Sequence, residues 1–259
     1  MIIIKNPDQL AKMRSAGHLL HDVLQQVRQS IVPGITTAAI NAYTDELIRK
    51  NGAIPTEFGY EGYPASICAS IDDEVVHGIP SENVEVQEGS IISIDVTLSL
   101  DGWQADSAFT CPVGKVSQEK LDLIRVTEEC FWRGAAMAIN GNRIGDIGAA
   151  VQAHAEAHRY GVVRDLTGHG IGRSMHEDPS VPNFGFAGHG VRLRPGMTFC
   201  IEPMIAMGRW QVHQLSDGWT IVTNDHKPAA HYEHTIAVKP NGKPELLTLP
   251  GFAWEEEQE

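Results

Sequence analysis

The sequence lacks long hydrophobic runs, and no stretch of its 259 residues approaches the length of a membrane-spanning helix. Met1–Ile4 is followed at once by Lys5, far short of the apolar core of a signal peptide. The four cysteines, at positions 68, 111, 130 and 200, are scattered and form no C-x-x-C pair. That scatter is typical of free thiols in a reducing compartment. Together these absences predict a cytoplasmic protein that does not use a membrane.

Basic residues are also scarce. Lysine and arginine number 20 against 33 aspartates and glutamates, a formal net charge of -13, which argues against nucleic acid as the main partner. The glycine-rich segment 168–172 lacks the Lys-Ser/Thr ending of a phosphate-binding loop. What remains is an ordinary globular composition, 42% hydrophobic and 20% charged, in a chain long enough for one large domain or two small ones.

The segment from Ile91 to Cys111 predicts a β-hairpin with a carboxylate on each strand. Even positions from 92 to 100 are apolar and odd positions from 93 to 99 are polar, so one face enters a core and the other stays polar. Asp101-Gly102 is a preferred pair for a two-residue hairpin turn, because Gly accepts positive φ. This turn would bring Asp95 and Asp106 to the same face.

In that register Asp95 opposes Ala108, and Asp106 lies two residues farther along the second strand. Diagonal neighbours on one face of a hairpin are roughly 7 Å apart, a separation that metal-bound carboxylates can span. On the hairpin alone, a solvated acidic surface is the alternative interpretation. The rest of the chain favours the metal site.

Apolar residues at helical spacing predict four helices, and a segment between the second and the hairpin, residues 54–81, is rich in turn formers and aromatics. We expect that segment to be a functional loop. The predicted helices run from Asn6-Pro7 to about Ile31, from Thr36 or Thr37 to Asn51-Gly52, from Ser117 or Gln118 to Asn140-Gly141, and from about Ile144 to Tyr160-Gly161. Later strands are predicted near Val162-Val163, Met197–Glu202, Gln211–Leu215, Trp219–Thr223 and His231–Val238.

The order of these elements suggests an internal repeat. Asp217-Gly218-Trp219 repeats the turn tripeptide Asp101-Gly102-Trp103. Each half, residues 6–115 and 117–238, therefore reads as two helices followed by antiparallel strands, which predicts a mixed α/β (α+β) fold in a single domain over 1–259. The acidic tail, 252–259, ends in Glu255–Glu259, a composition typical of disorder.

The fourth helix carries a pattern similar to a zinc-protease motif, His154-x-Glu156-x-His158. That motif needs its glutamate directly after the first histidine, whereas here the glutamate comes two residues later. At about 100° per residue, Glu156 points away from both histidines. The pattern is therefore interpreted as a solvated helix face.

Three further segments place metal-ligand side chains in restricted settings. His169 lies between two glycines, which permit unusual backbone geometry and close approach. Glu202 and Glu233 each lie on an otherwise apolar strand, where an unpaired charge is costly. Singly, each could be a structural ion pair or an edge charge. With Asp95 and Asp106 they form a set of four carboxylates and one imidazole, which predicts a cage for two divalent ions.

These motifs resemble those of type I methionine aminopeptidases. The matching segments are Asp95-x10-Asp106, GHGIGRSMHEDP (168–179), PGMTFCIEPM (195–204) and YEHTIAV (232–238), and the resemblance runs from about residue 6 to 249. It implies the pita-bread fold, in which two pseudo-symmetric halves enclose a dinuclear metal site. It also implies removal of N-terminal methionine by a metal-activated water, with a preference for a small second residue.

The resemblance also implies roles for individual residues. The metal ligands would be Asp95, Asp106, His169, Glu202 and Glu233, with Asp106 and Glu233 bridging the two ions. The catalytic residues would be Glu202 as proton acceptor, with His77 and His176 as active-site histidines that do not bind metal. The residues around the methionine side chain would be Tyr60, Tyr63, Cys68, Met175 and Trp219. Oxygen-rich ligation with one histidine suits Co, Mn or Fe(II) better than a thiolate zinc site.

Two residues depart from the family pattern. Met175 precedes the second active-site histidine where the family often has phenylalanine, and Glu57 takes the place of a cysteine common at the pocket rim of bacterial enzymes. Both bear on fine specificity and leave the reaction untouched. The implied partners are the N-termini of nascent polypeptides near the ribosome, bound by a monomer with no nucleic-acid or membrane contact.

Three alternatives are weighed against this function. An X-Pro aminopeptidase or prolidase of the same fold typically carries a large N-terminal domain, whereas the first helix here begins at Asn6. A non-catalytic binding protein of this fold usually loses ligands, whereas all five are present. A type II aminopeptidase has a long insertion between the later motifs, whereas only residues 177–201 lie between His176 and Glu202. The sequence therefore favours the short bacterial-type methionine aminopeptidase.

Overall fold

Four α-helices and fifteen short strands make up the fold, in a computed structural model that describes residues 1–254. The helices are α1 (Pro7–Ser30), α2 (Thr37–Lys50), α3 (Gln118–Ala136) and α4 (Ile144–Ala157). The strands of the first half are β1 (Ile54–Pro55), β2 (Cys68–Ile71), β3 (Glu74–Val76), β4 (Ile91–Leu100) and β5 (Trp103–Pro112). Those of the second half are β6 (Gly161–Val162), β7 (Gly168–Gly170), β8 (Glu177–Val181), β9 (Thr198–Ile201), β10 (Met204–Ala206), β11 (Val212–Gln214), β12 (Ile221–Thr223), β13 (Ala229–His231), β14 (Glu233–Ala237) and β15 (Glu245–Leu246).

The helices begin where capping residues predict. The Asn6 side chain accepts a hydrogen bond from the Gln9 N–H, and the Gln9 side chain accepts one from the Asn6 N–H, which forms a capping box. The Thr36 hydroxyl caps α2 by accepting a hydrogen bond from the Ala39 N–H. The fourth helix is shorter than predicted, since it ends at Ala157.

The predicted hairpin is confirmed, including its register. Strands β4 and β5 pair without interruption from Ile91–Pro112 to Leu100–Trp103, so that Asp95 opposes Ala108. Asp101 and Gly102 both have positive φ, +52° and +75°, as a two-residue turn between twisted strands requires.

The polar face of the hairpin is covered by protein. Ser93, Thr97 and Ser99 are buried, and β2 pairs with β4 along the hairpin edge, from Cys68–Asp95 to Ile71–Ile92. The solvated acidic surface is therefore excluded. The carboxylates of this face lie inside the molecule.

One large sheet runs through both halves of the chain. Its strand order is β1-β4-β5-β14-β9-β7-β8, with β2 paired to β4 and β15 paired to β14. Helix α1 packs on β4 and β5, while α3 and α4 pack against each other beside the strands of the second half. Apolar cores fill the spaces between these helices and the sheet.

Three details of the predicted strands are wrong. The segment 54–81 is not a continuous loop, because it contains β1, β2, β3 and a short 3₁₀ turn at Tyr60–Gly62. The strand predicted over His231–Val238 is two strands separated at Tyr232, because β13 pairs with β10 in a small sheet of order β13-β10-β6 whereas β14 belongs to the large sheet. The second Asp-Gly-Trp tripeptide does not form a two-residue turn. It lies in the six-residue connection between β11 and β12, where Asp217 accepts the N–H groups of Trp219 and Thr220.

The end of the described chain is packed onto α3. The Phe252 ring stacks on Trp132 with centroids 4.7 Å apart, and Trp254 meets Trp132 edge-on at 5.7 Å. The predicted acidic tail therefore does not begin at residue 252. Residues 255–259, predicted to be disordered, lie outside the described residues.

The four cysteines are buried and unpaired, as their scatter predicts. Within residues 1–254, no helix is both long enough and apolar enough to cross a membrane.

Candidate metal centre

Five neighbouring strands of the central sheet each contribute one of the predicted ligands. In sheet order these residues are Asp95 on β4, Asp106 on β5, Glu233 on β14, Glu202 at the end of β9 and His169 on β7. Glu233 opposes Ala108, which in turn opposes Asp95. The last residue pair between β9 and β14 is Ile201 with His234. Glu202 and Glu233 lie one position beyond that pair. Ligands that are up to 138 positions apart in the chain (233 minus 95) thus meet through strand pairing.

The ligand atoms are within reach of shared ions. His169 Nε2 lies 3.7 Å from Asp106 Oδ2 and 3.6 Å from Glu202 Oε1. Single atoms from Asp106, His169, Glu233 and the neighbouring Cys200 all lie within 4.8 Å of one another. Two atoms that each lie about 2.1 Å from one ion are at most about 4.2 Å apart, so the His169 distances fit shared coordination.

The ring orientation of His169 also suits a ligand. Its Nδ1 lies 3.0 Å from the carbonyl oxygen of Gly170. A carbonyl can only accept, so Nδ1 carries the proton and donates it, which leaves the Nε2 lone pair facing the carboxylates. Metal-binding histidines are usually held by such a bond from the other ring nitrogen.

The carboxylates have no partners that would balance their charge. Asp95 Oδ1, Asp106 Oδ1 and Glu233 Oε1 are buried without a hydrogen bond. Among the described residues, no lysine or arginine lines the cavity that these groups share. Buried, unpaired carboxylates are costly unless a cation is present. The residues therefore fit divalent cations, and the oxygen-rich donor set is of the kind that hard metal ions bind.

Charge crowding shifts the protonation of these groups. Burial, followed by the charges of neighbouring carboxylates, raises the pKa of Asp95, Asp106, Glu202 and Glu233 well above their usual values. Burial lowers the pKa of His169 to about 3, so this ring is neutral at neutral pH and free to bind a metal.

The two remaining histidines flank the carboxylate cluster. The ring of His176 meets the ring of His169 edge-on, with centroids 4.1 Å apart. Nδ1 of His176 is 2.7 Å from the Tyr60 hydroxyl. His77 has a left-handed backbone, with φ of +60°, a strained geometry that clusters at functional sites. Burial lowers the pKa of His77 to about 4 and also lowers that of His176.

A buried ion pair anchors the loop that carries His176. The Lys5 ammonium lies 2.6 Å from Glu177 Oε2, and the two side chains are only 1% and 7% exposed. The other carboxylate oxygen of Glu177 accepts the backbone N–H groups of Arg173 and Ser174. The segment that precedes α1 thus fixes the loop next to the cluster.

All twelve predicted site residues line one cavity of about 230 Å³. Beyond the ligands and the two histidines, this set consists of Tyr60, Tyr63, Cys68, Met175 and Trp219. The rings of Tyr63 and Trp219 meet edge-on with their centroids 5.0 Å apart. The Tyr63 hydroxyl donates to the carbonyl groups of Ile67 and Gly78. This corner of the cavity is a fixed, mostly apolar wall.

Glu57 introduces a carboxylate into the same wall. It accepts a hydrogen bond of 2.8 Å from the Thr97 hydroxyl, and one of its oxygens lies within 4.8 Å of ligand atoms of Cys68 and Asp95. Burial raises the pKa of Glu57 to about 7. The sequence departure noted at this position therefore adds an acidic group next to the predicted ligands.

Sequence reasoning missed two residues at the site. His231 is buried with both ring nitrogens unpaired, and its Nε2 lies 3.8 Å from Glu233 Oε2. Asn183 donates a 2.9 Å hydrogen bond to the backbone carbonyl of Glu202. The only signal for His231 was its position two residues before Glu233. Nothing in the sequence pointed to Asn183.

Comparison with known proteins identifies the family. The family sequence model of metallopeptidase family M24 matches residues 11–240 of this chain. The methionine aminopeptidase of Clostridium acetobutylicum is 48% identical over 249 residues, which cover 96% of this chain and 99% of that protein. The chain belongs to the methionine aminopeptidases of family M24.

Solved structures agree with this M24 assignment. The crystal structure of methionine aminopeptidase from Rickettsia prowazekii superposes with a TM-score of 0.94 at 42% identity, and the match covers 96% of this chain and all of that one. The Xaa-Pro dipeptidase from Bacillus anthracis superposes at 0.77 with 21% identity, and only 61% of its chain is covered. The similarity to the Xaa-Pro dipeptidase shows a shared fold only. The predicted pita-bread fold is confirmed, and membership in M24 together with the buried ligand cluster supports metal dependence.

Proposed function

We propose that this M24 protein removes the N-terminal methionine from polypeptides whose second residue is small, with two divalent ions held by Asp95, Asp106, His169, Glu202 and Glu233. The observation that carries the proposal is the convergence of five strands on uncompensated carboxylates beside an apolar-walled cavity. When bound, such ions supply Lewis-acid chemistry, lowering the pKa of water and polarising a carbonyl group. Co, Mn and Fe(II) suit the donor set.

The residues around the ions perform the proton chemistry. Glu202 accepts the proton of the attacking water, because its carboxylate faces the cluster and its backbone is held by Asn183. His176 donates a hydrogen bond to the oxyanion that forms on the substrate carbonyl. His77 contacts the scissile amide and assists the departure of the new amine.

Substrate choice follows from the shape of the cavity. The wall of Tyr60, Tyr63, Cys68, Met175 and Trp219 holds the methionine side chain, and Glu57 modifies the polarity of its rim. The acidic surroundings attract the free α-amine, which restricts cleavage to the first residue. The space beyond the scissile bond excludes a large second residue. We place the protein in the cytoplasm, acting as a monomer on nascent chains near the ribosome.

A peptide panel tests this function. Met-Gly-Met-Met should be hydrolysed after its first Met, and only when divalent metal is present. When a bulky residue replaces Gly, kcat/KM should fall roughly 10- to 200-fold, as expected for a steric misfit of about 1–3 kcal/mol. Peptides with proline second and a residue other than methionine first should remain intact. The measurement is release of free amino acid, with and without added Mn²⁺ or Co²⁺.

The panel also separates the rivals. Efficient cleavage of Ala-Pro peptides would point to a proline-directed peptidase of this fold. Indifference to the second residue would contradict the steric account. Absence of hydrolysis in a metal-loaded sample would contradict the enzymatic function itself.

A further inference from the structure

A second group of metal-ligand side chains lies where α3 crosses α4, outside the catalytic cavity. His154 lies in the last turn of α4 and His158 directly follows the helix, with their ring centroids separated by 4.7 Å. Glu129, on α3, reaches across with Oε2 at 2.8 Å from His154 Nε2. One ligand atom from each of these three residues lies within 4.8 Å of the other two. The prediction of a solvated face is therefore wrong for His154, whose side chain is only 16% exposed.

The hydrogen bonds around this group leave ligand atoms available. His158 Nδ1 lies 3.0 Å from the carbonyl oxygen of His154. Because the carbonyl accepts, Nδ1 carries the proton and Nε2 keeps its lone pair. A bond of this kind typically orients a metal-binding histidine.

The carboxylate is oriented as well. Arg125 Nη1 donates to Glu129 Oε1 at 2.7 Å, which leaves Oε2 turned toward His154. Glu129 is 37% exposed and His158 is exposed, so an ion from solvent can enter without rearrangement of the fold. Glu156 takes no part, since it is bonded to Gln152.

We propose that Glu129, His154 and His158 form a peripheral Zn²⁺ site with a free coordination position for water. Two histidines four residues apart on one helix face place their rings side by side, and a carboxylate completes a set of three protein ligands found in zinc proteins. Imidazole and carboxylate donors also suit Ni²⁺ and Cu²⁺, whereas hard ions prefer the oxygen-rich catalytic cavity. A bound ion would tie α3 to α4. The Glu129–His154 contact would then be the metal-free form of the site.

The test is the zinc content of the full chain at equal, micromolar free Zn²⁺, measured by equilibrium dialysis and elemental mass spectrometry. His158→Gln keeps the Glu129–His154 contact and should bind one Zn²⁺ fewer per chain than the wild type. His154→Gln should lose the same ion. The control His213→Gln removes an exposed histidine that is bonded only to Asn224 among the contacts described, and should keep the wild-type content.

Peptide hydrolysis is measured on the same samples and should be equal in all four proteins, because none of the three histidines lines the catalytic cavity. Equal zinc content in wild type, His154→Gln and His158→Gln would overturn the site and reduce Glu129–His154 to an ion pair. An equal loss in His213→Gln would overturn it too, by showing non-specific surface binding.

Discussion

Replacement of Glu202 by glutamine is expected to lower kcat by about 10²- to 10⁴-fold, the usual contribution of a general base. Glutamine keeps the shape of the side chain and one oxygen that can bind metal, but it cannot accept a proton from water. The backbone at this position is held by Asn183 and by the strand that precedes it, so the fold should be unchanged. The loss therefore reports on proton transfer.

The measurement is kcat on Met-Gly-Met-Met with the metal content determined on the same sample. Glu245→Gln is the matched control, because Glu245 is a partly buried glutamate paired with Arg14 far along the sheet from the cavity. It should retain wild-type kcat. A kcat near wild type in metal-loaded Glu202→Gln would show that another group accepts the proton.

Removal of the metal is expected to make the free energy of unfolding fall as pH rises above about 6.5, a range in which the histidines of the unfolded chain are already neutral. The pKa values of Asp95, Asp106, Glu202 and Glu233 are raised in the folded protein by burial and by one another. The folded state then holds more protons than the unfolded state. The stability contributed by these groups is thus present at low pH and is lost as pH rises through the folded pKa values.

Glu57 and the buried histidines also contribute to the pH dependence of the free energy of unfolding. Glu57, with a pKa of about 7, places part of the loss near neutrality. His77, with a pKa of about 4, and the buried rings His169, His231 and His234, each about 3, have lowered values. Their contribution is present above the unfolded value of about 6.5 and is lost only below it. Above that pH the carboxylates determine the slope, until the buried thiols of Cys68 and Cys200, whose pKa burial also raises, add to it at higher pH.

Urea unfolding of metal-free and metal-loaded protein across this pH range provides the measurement. Each proton that the folded state holds in excess of the unfolded state should cost about 1.4 kcal/mol per pH unit. The metal-loaded protein should show little slope, because cations keep the carboxylates ionised at both ends of the range. Metal-free Asp106→Asn, with one fewer charge in the cluster, should lose less stability than the metal-free wild type. Parallel curves for the metal-free and metal-loaded protein would contradict charge crowding in the cavity.

The hairpin was predictable to the residue because its signals are local. Alternation from Ile92 to Leu100 assigns the faces of β4, and Asp101-Gly102 selects a turn that allows only one register. What alternation cannot reveal is whether the polar face meets water or protein. Thr97 is buried, and its hydroxyl donates to Glu57, which comes from elsewhere in the chain.

The convergence of the five ligands depends on strand order, which local patterns do not encode. His169, Glu202 and Glu233 each stood out singly, as a histidine between glycines or a charge on an apolar strand. Their meeting requires β14 to lie between β5 and β9. Before the structure, only the resemblance to a known family assigned these residues, with Asp95 and Asp106, to one metal site.

The errors also have physical causes. Residues 229–238 contain no glycine or proline, so nothing in the sequence indicated that the chain passes from one sheet to another at Tyr232. His154 was interpreted from its own helix alone. Its partner Glu129 lies on α3, 25 residues earlier, and only the packing of the two helices brings them together.

We expect side chains from five strands of one sheet to hold a pair of divalent ions in the cavity. Anomalous diffraction from a crystal equilibrated with Mn²⁺ tests it most directly. Two peaks are expected among Asp95, Asp106, His169, Glu202 and Glu233. Mn²⁺ peaks that lie only outside this cavity, in a crystal of active protein, would contradict it.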